Sequence, residues 1–158
     1  MMTTMEASRV RLAQISDRDK LAAMFVALWP DGSMEEHLQE IDSVLASQKS
    51  GTMPAAIFVS HKNDGELTGF LEVALRSHAD GCDTAHPVGF VEGWFVYELH
   101  RGSGVGKSLM RSSEAWAREM GCKEMGSDTW IDHEDSQLAH RALGFEIVDR
   151  CVHFRKSL

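Results

Sequence analysis

A glycine-rich segment near the middle of the chain contains residues that could bind a phosphate group. An arginine is followed there by closely spaced glycines, Arg101-Gly102-Ser103-Gly104-Val105-Gly106-Lys107. The segment lies between a predicted strand and a predicted helix, so backbone N–H groups at the helix N-terminus are left unpaired and the helix dipole favours an anion. The glycines let the main chain approach a pyrophosphate closely, and Arg101 can add a charge-assisted hydrogen bond. An ordinary glycine-rich turn is the alternative, because the spacing matches neither the Walker P-loop nor the dinucleotide-binding fingerprint.

A second unusual feature is a glutamate inside an apolar strand. Glu92 lies in Phe90-Val91-Glu92-Gly93-Trp94-Phe95. A charged side chain in such a strand is costly unless it has a cationic partner. Glu92 is therefore a candidate functional carboxylate, and the alternative is that it points outward on an alternating strand.

Composition limits the function classes. The 158 residues, 43% of them apolar, fit one domain, and no run approaches the roughly 18 apolar residues of a membrane span. Residues 1–6 lack the layout of a signal peptide, and three scattered cysteines favour a reducing cytoplasm. A net charge of −8 argues against nucleic acid and suits a cationic partner. No metal is expected, because the eight histidines are scattered and no Cys-x-x-Cys or His-Glu-x-x-His occurs.

Periodicity predicts a mixed α/β chain. A capping box at Ser16-Asp17-Arg18-Asp19 is predicted to start the first helix, and Trp29-Pro30-Asp31-Gly32 to end it. Strands are predicted at residues 8–13, 55–60, 67–75, 88–96 and 125–129, and a last strand or hairpin at residues 147–154. Further helices are predicted at residues 33–45, 104–120 and 133–143.

The glycine segment and the element order together resemble the GNAT acetyltransferases, whose pyrophosphate loop reads Arg/Gln-x-x-Gly-x-Gly/Ala. The chain is similar to one group in particular, the aminoglycoside 6'-N-acetyltransferases, along nearly its whole length. The segments that carry this likeness are Leu28-Trp29-Pro30, Asp80-Gly81-Cys82-Asp83, Phe90 to Val96, Gly126-Ser127-Asp128-Thr129, Ser136-Gln137, His140 to Phe145 and Phe154-Arg155-Lys156. The resemblance implies one GNAT domain over residues 1–158, with helices flanking a mixed central sheet that splays between its fourth and fifth strands.

The resemblance also implies acetyl-CoA as co-substrate. The residues expected to bind it are Phe95, Val96, Arg101, Gly102, Ser103, Gly104, Val105, Gly106, Lys107 and His133. His133 stands where many family members have an asparagine that contacts the pantetheine arm. Main-chain N–H groups near residues 95–97 are expected to polarise the thioester oxygen.

Acidic residues are expected to hold the acceptor amine. Alkyl ammonium groups titrate near ~10.4 in water, so a base is needed, and the resemblance assigns that role to Glu92 with Asp128 beside it. Trp29, Asp80 and Asp149 are the further expected contacts to a polycationic sugar. Structural alternatives remain for each: core packing for Trp29, a helix cap for Asp128 and a solvated edge for Asp149.

His140 occupies the position at which many members of the family carry a tyrosine that protonates the departing thiolate. Histidine can donate a proton near neutral pH, although a structural helix histidine is the alternative. The implied reaction is direct 6'-N-acetylation of aminoglycosides in a ternary complex, by a homodimeric resistance enzyme. Two other interpretations stay open: acetylation of a different amine, such as a polyamine, small metabolite or protein amino group, and a non-catalytic acyl-CoA-binding module.

Overall fold

The computed structural model describes residues 8–158. Residues 1–7, on which the expected lack of a signal peptide depends, lie outside the described part of the chain. Four helices are assigned, α1 Arg18–Leu28, α2 Met34–Ser47, α3 Val105–Glu119 and α4 Glu134–Ala142. The strands are β1 Arg9–Leu12, β2 Lys49–Ser50, β3 Met53–His61, β4 Leu67–Arg76, β5 Val88–Val96 and β6 Glu124–Ser127. Short 3₁₀ turns cover Ile15–Asp17 and Glu98–His100.

The central sheet is mixed and splays where the sequence predicted. Its strand order is β1-β3-β4-β5-β6, with the two-residue strand β2 paired to β3. All pairs are antiparallel except β5 with β6, whose parallel register runs from Val88↔Glu124 to Val91↔Ser127. Strand β5 continues to Val96 after this pairing stops. The second half of β5 therefore has one edge without a neighbouring strand in the described part of the chain, and the prediction of a splayed GNAT sheet is confirmed.

A β-bulge in β5 places two successive residues on the same face of the sheet. Gly93 pairs with Glu72 and Val91 pairs with Val73, so Glu92 is an extra residue between two regular pairs. A bulge of this kind turns the strand locally and redirects one side chain. Both Glu92 and Gly93 consequently face α1 and α2, because Glu92 lines a pocket with Trp29 and a Cβ on Gly93 would meet the Trp29 ring.

Helices cover both faces of the sheet. On one face, α1 and α2 pack through a cluster that includes Phe25 and Phe70, whose rings stack with centroids 4.7 Å apart. On the other face, α3 packs Leu109 and Met110 against Val73 and Val91, all of them buried. The sheet thus lies between two apolar layers, one on each face. No helix among residues 8–158 is both long and apolar enough to cross a bilayer.

Two local predictions were wrong. The predicted strand at residues 147–154 is not formed, and its apolar side chains Val148, Val152 and Phe154 are exposed. Alternation alone cannot form a strand, because a strand also needs a partner edge in reach. The capping box at Ser16 is also absent: the Gln14 N–H donates to the Asp17 carboxylate at 2.7 Å, and a 3₁₀ turn precedes α1.

Candidate active site

The open edge of β5 exposes main-chain groups to the gap between the splayed strands. The Tyr97 N–H donates to the Thr68 carbonyl at 3.0 Å, on the β4 side of the strand. Main-chain groups alternate in direction along a strand, so the N–H and C=O of Val96 point to the opposite edge. An extended ligand can therefore add to this edge of β5 through main-chain hydrogen bonds, and the side chain of Phe95 points into the α1–α2 layer.

The glycine-rich loop begins directly beyond that edge. Gly102 and Gly104 have φ angles of +76° and +88°, a conformation that side-chain-bearing residues rarely adopt. The Arg101 Nε donates to the Val96 carbonyl at 2.8 Å, and the Ser103 hydroxyl donates to the His100 carbonyl at 2.6 Å. Arg101 thus anchors the loop to the end of β5, and the residue is exposed.

Helix α3 follows the loop and presents its N-terminus there. Its first N–H groups have no acceptor within the helix, which makes them available to an anion. Val105 is buried, whereas Lys107 is exposed. Gly106 allows close packing on β5, because a Cβ at that position would lie 3.1 Å from Cζ2 of Trp94. The glycine-rich loop and the N-terminus of α3 thus lie together next to the open strand edge.

A pocket of about 420 Å³ opens on the α1–α2 face of the sheet. Its lining residues are Phe25, Trp29, His37, Glu40, Ser50, Glu72 and Glu92. The Glu92 carboxylate accepts two hydrogen bonds from the Arg76 guanidinium, at 3.0 and 2.9 Å, and Arg76 in turn lies over the Phe90 ring. Glu92 therefore has the cationic partner that its apolar surroundings require, and it faces a pocket large enough for a small molecule.

Trp29 is both a core residue and part of the pocket wall. Its ring meets Phe25 edge to face at 5.1 Å between centroids and is half-buried. A Cβ on Gly93 would come within 2.4 Å of Cη2 of Trp29. The absence of a side chain at residue 93 lets the indole lie against β5 beside Glu92. The two interpretations of Trp29 from the sequence are thus compatible.

Two carboxyl groups of the pocket were missed by the sequence reasoning. Glu72 projects from β4 and is 3% exposed, and Glu40 projects from α2. Burial, a hydrogen bond with Glu40, and the charges of Glu40 and Glu92 raise the pKa of Glu72 well above its usual value. The signal that identified Glu92, a charged residue in an apolar strand, also exists at Leu71-Glu72-Val73.

The other predicted acceptor contacts do not line this pocket. Asp128 is exposed one residue beyond the end of β6, on the far side of the splay from Glu92. Asp80 and Asp149 are also exposed. Their segments touch, because a Cβ on Gly81 would lie 2.5 Å from Cβ of Val148. His133 is exposed at the start of α4. None of these residues is among those that line the pocket of Trp29 and Glu92.

His140 uses both of its ring nitrogens. Its Nδ1 lies 2.7 Å from the Ser136 carbonyl, which can only accept, so Nδ1 carries a proton. Its Nε2 lies 2.7 Å from the Ser127 hydroxyl at the end of β6. The ring also packs edge to face on Trp94 and Phe145. His140 is thus held by hydrogen bonds at both ring nitrogens and by contacts with two aromatic rings.

Among residues 8–158, no three histidine, cysteine, aspartate or glutamate side chains are arranged so that they could bind a metal ion.

Comparison with known proteins assigns the family. The family model described as the acetyltransferase (GNAT) family matches residues 16–145. The chain is 39% identical over 153 residues to aminoglycoside N(6')-acetyltransferase type 1 of Stenotrophomonas maltophilia, covering 96% of this chain and 95% of that protein. It is 40% identical over 148 residues to the protein of the same name from Serratia marcescens, covering 91% and 97%.

Solved structures agree with this likeness. The structure of AAC(6')-Iy in complex with the bisubstrate analogue CoA-S-monomethyl-acetylneamine has a TM-score of 0.85 and 31% identity, over 96% of this chain and 99% of that one. Ligand-free AAC(6')-Ig from Acinetobacter haemolyticus has a TM-score of 0.83 and 31% identity, over 95% and 99%. The strand edge, the glycine loop and the full-length likeness agree: the chain belongs to the GNAT acetyltransferase family and, within it, to the aminoglycoside 6'-N-acetyltransferases.

Proposed function

We propose that this protein, as one GNAT domain, transfers an acetyl group from acetyl-CoA to the 6'-amino group of aminoglycoside antibiotics and thereby confers resistance. The observation that carries the proposal is the position of an acidic, aromatic-walled pocket directly beside the open half of β5. In the solved relative AAC(6')-Iy, the bound bisubstrate analogue joins CoA to acetylneamine in one molecule. Three free cysteines in the described chain, Cys82, Cys122 and Cys151, support action in the cytoplasm.

On the cofactor side, the chain binds and orients acetyl-CoA, which supplies the thioester. Arg101, the glycines at residues 102 and 104 and the N-terminus of α3 hold the pyrophosphate, with Ser103, Val105, Gly106 and Lys107 in the same cradle. The edge of β5 at Phe95 and Val96 holds the pantetheine arm, and His133 contacts it from the start of α4. The Val96 N–H, which points to the gap, is placed to polarise the thioester carbonyl.

On the acceptor side, Glu92 holds the 6'-ammonium group and takes its proton. A carboxylate offers about four lone-pair positions, and Arg76 occupies two of them, so two remain for the amine. Trp29 packs against a sugar ring next to Glu92. Asp128, Asp80 and Asp149 add negative charge around the rim, which attracts a polycation. His140, through the Ser127 hydroxyl, returns a proton to the thiolate.

A thiol-release assay tests this activity. With acetyl-CoA and tobramycin or kanamycin we expect CoA to appear, whereas paromomycin, which has a 6'-hydroxyl, should give no release above background. Release with polyamines alone would support a different amine acceptor, and no release with any amine would support a binding module. Burial raises the pKa of the Cys82 and Cys122 thiols, but Cys151 is exposed, so a reagent blank with enzyme alone is required.

The proposed assembly is a homodimer that covers the exposed C-terminal segment. Val152 is 74% exposed and Phe154 94%, and Trp130, whose ring contacts His153 in this segment, is 66% exposed. Contiguous exposed apolar residues of this kind are typical of a protein interface. Residues 147–154 alternate like a strand and have no partner edge within the described chain, so a second copy can supply one.

Light scattering on the full chain checks the dimer. We expect twice the mass of one chain for the unmodified protein and one chain mass for the V152D/F154D variant. Leu99→Asp is the control, because Leu99 is equally exposed at 92% but lies in the loop after β5. A monomeric unmodified protein would rule the dimer out.

A further inference from the structure

Glu72 is a buried glutamate, and one of its carboxyl oxygens accepts no hydrogen bond from the described residues. It lies in the middle of β4 and is 3% exposed, and its Oε2 has no hydrogen-bond partner among residues 8–158. An unpartnered buried polar atom destabilises a fold, so such groups usually have a ligand or a function. Glu72 is one of the residues that line the pocket beside Trp29.

The charged groups around Glu72 leave the pocket floor with an excess of negative charge. Glu40 approaches from α2 and Glu92 from β5. Arg76, on the same face of β4, is already bound in a bidentate pair with Glu92. His37 on α2 is the remaining titratable group of the lining, and its Nε2 is hydrogen-bonded to the Trp29 carbonyl at 3.1 Å. Glu72 and Glu40 therefore face the pocket without a cation of their own in the described chain.

This arrangement leaves the pocket prepared for a second positive group. We propose that Glu72 and Glu40 form a cation subsite on the pocket floor that binds an ammonium group of the acceptor other than the amine that is acetylated. The subsite rests on the proposed function, because it requires that the acceptor is an aminoglycoside, a sugar with several amino groups. An ammonium group supplies both the N–H donor that Oε2 lacks and the charge that lets Glu72 ionise.

The position of Glu72 separates this subsite from the reacting amine. Glu72 pairs with Gly93, so it lies one strand away from the open edge of β5. Neighbouring strands are about 4.8 Å apart. The reacting amine must lie at the open edge, near the thioester, where Glu92 reaches it. A second ammonium group several ångströms away on the same sugar can lie over Glu72 at the same time.

Protonation makes the subsite sensitive to pH. Without a ligand, burial and the two neighbouring glutamates keep the Glu72 carboxyl protonated above its usual range. A bound ammonium group favours the ionised form, so acceptor binding releases a proton from Glu72. The contribution of the subsite to affinity accordingly grows as pH rises towards the raised pKa of Glu72.

Steady-state kinetics of E72Q and E40Q with tobramycin test the subsite. We expect E72Q to raise the tobramycin KM about tenfold or more, with kcat and the acetyl-CoA KM within a factor of about three. The ratio of the E72Q KM to the unmodified KM should increase with pH up to the raised pKa of Glu72. Glu66→Gln is the matched control, because Glu66 pairs with Lys62 on the exposed hairpin away from the pocket.

Acceptors that lack one amino group at a time give a second, independent readout. Removing the amine that occupies the subsite should weaken binding to the unmodified protein and leave binding to E72Q unchanged. The E72Q variant should fold, since a neutral amide replaces a carboxyl that no described residue neutralises, and E40Q repeats the test if it does not.

An unchanged tobramycin KM in E72Q and E40Q, or a fall in kcat alone, would overturn the subsite while the unmodified enzyme still acetylates tobramycin. Failure of the unmodified enzyme and of E66Q to release thiol with any 6'-amino aminoglycoside would instead overturn the proposed function, and the subsite with it.

Discussion

Replacing Glu92 with glutamine is expected to lower kcat for tobramycin acetylation about 100-fold or more. The amide has nearly the same shape and can still accept a hydrogen bond from Arg76, but it cannot take a proton from the attacking amine. The acetyl-CoA KM should change little, because Glu92 lies in the acceptor pocket and the glycine loop lies beyond the end of β5. Initial rates of thiol release at saturating acetyl-CoA and tobramycin measure the effect.

The pH profile separates loss of the base from loss of structure. The neutral fraction of a free alkyl amine increases with pH, since such amines titrate near ~10.4. The E92Q rate should therefore rise with pH more steeply than the unmodified rate. Glu66→Gln serves again as control and should keep full activity. A kcat for E92Q within threefold of the unmodified value would show that the proton leaves by a route that does not involve Glu92.

Placing an aspartate at Gly104 is expected to raise the acetyl-CoA KM about 100-fold or more. Gly104 has a φ of +88° and directly precedes α3, so a carboxylate there lies where the pyrophosphate is expected. Two effects add: the side chain fills the space through which the main chain approaches the ligand, and its charge repels the phosphates. The KM for acetyl-CoA, measured at fixed tobramycin, reports the change.

Gly121→Asp is the matched control for this loop variant. Gly121 has a φ of +87° and lies at the other end of α3, and neither glycine has another atom within 4 Å of the position of a Cβ. The two variants thus carry the same backbone strain and the same added charge at opposite ends of one helix. Equal acetyl-CoA KM values for G104D and G121D would contradict the assignment of the loop to the pyrophosphate.

Local sequence patterns predicted helices and strands correctly where the segment alone determines which of the two forms. Alternation and apolar runs gave the bounds of β5 correctly, and Ser33 caps α2 by accepting the Glu36 N–H, as expected. The strand predicted at residues 147–154 was wrong because the pattern describes only the segment itself. Whether a neighbouring strand is available to pair with the segment depends on the assembled sheet or on a second chain.

The candidate site was only partly predictable for a related reason. Glu92 was identified because a charge in an apolar strand requires an explanation, and the structure supplies Arg76 as its partner. Glu40 could not be distinguished from the other acidic residues of α2, since the sequence does not show which of them turns toward the sheet. Glu72 was overlooked although it has the same signature as Glu92. Its importance depends on three elements, α2, β4 and β5, that meet only in the fold.

The extra residue in β5 separates the chemistry of the pocket from the packing of the fold. Because Glu92 is inserted between regular pairs, neither hydrophobic layer depends on its side chain for packing. Other polar side chains at position 92 should therefore leave Val91 and Phe95 in their places in the two layers, although they would remove the base. Even deletion of Glu92 would leave a regular strand, because Val91 and Gly93 could keep their pairs with Val73 and Glu72. The carboxylate of the pocket thus lies at a point of β5 where a mutation changes reactivity and leaves the fold intact.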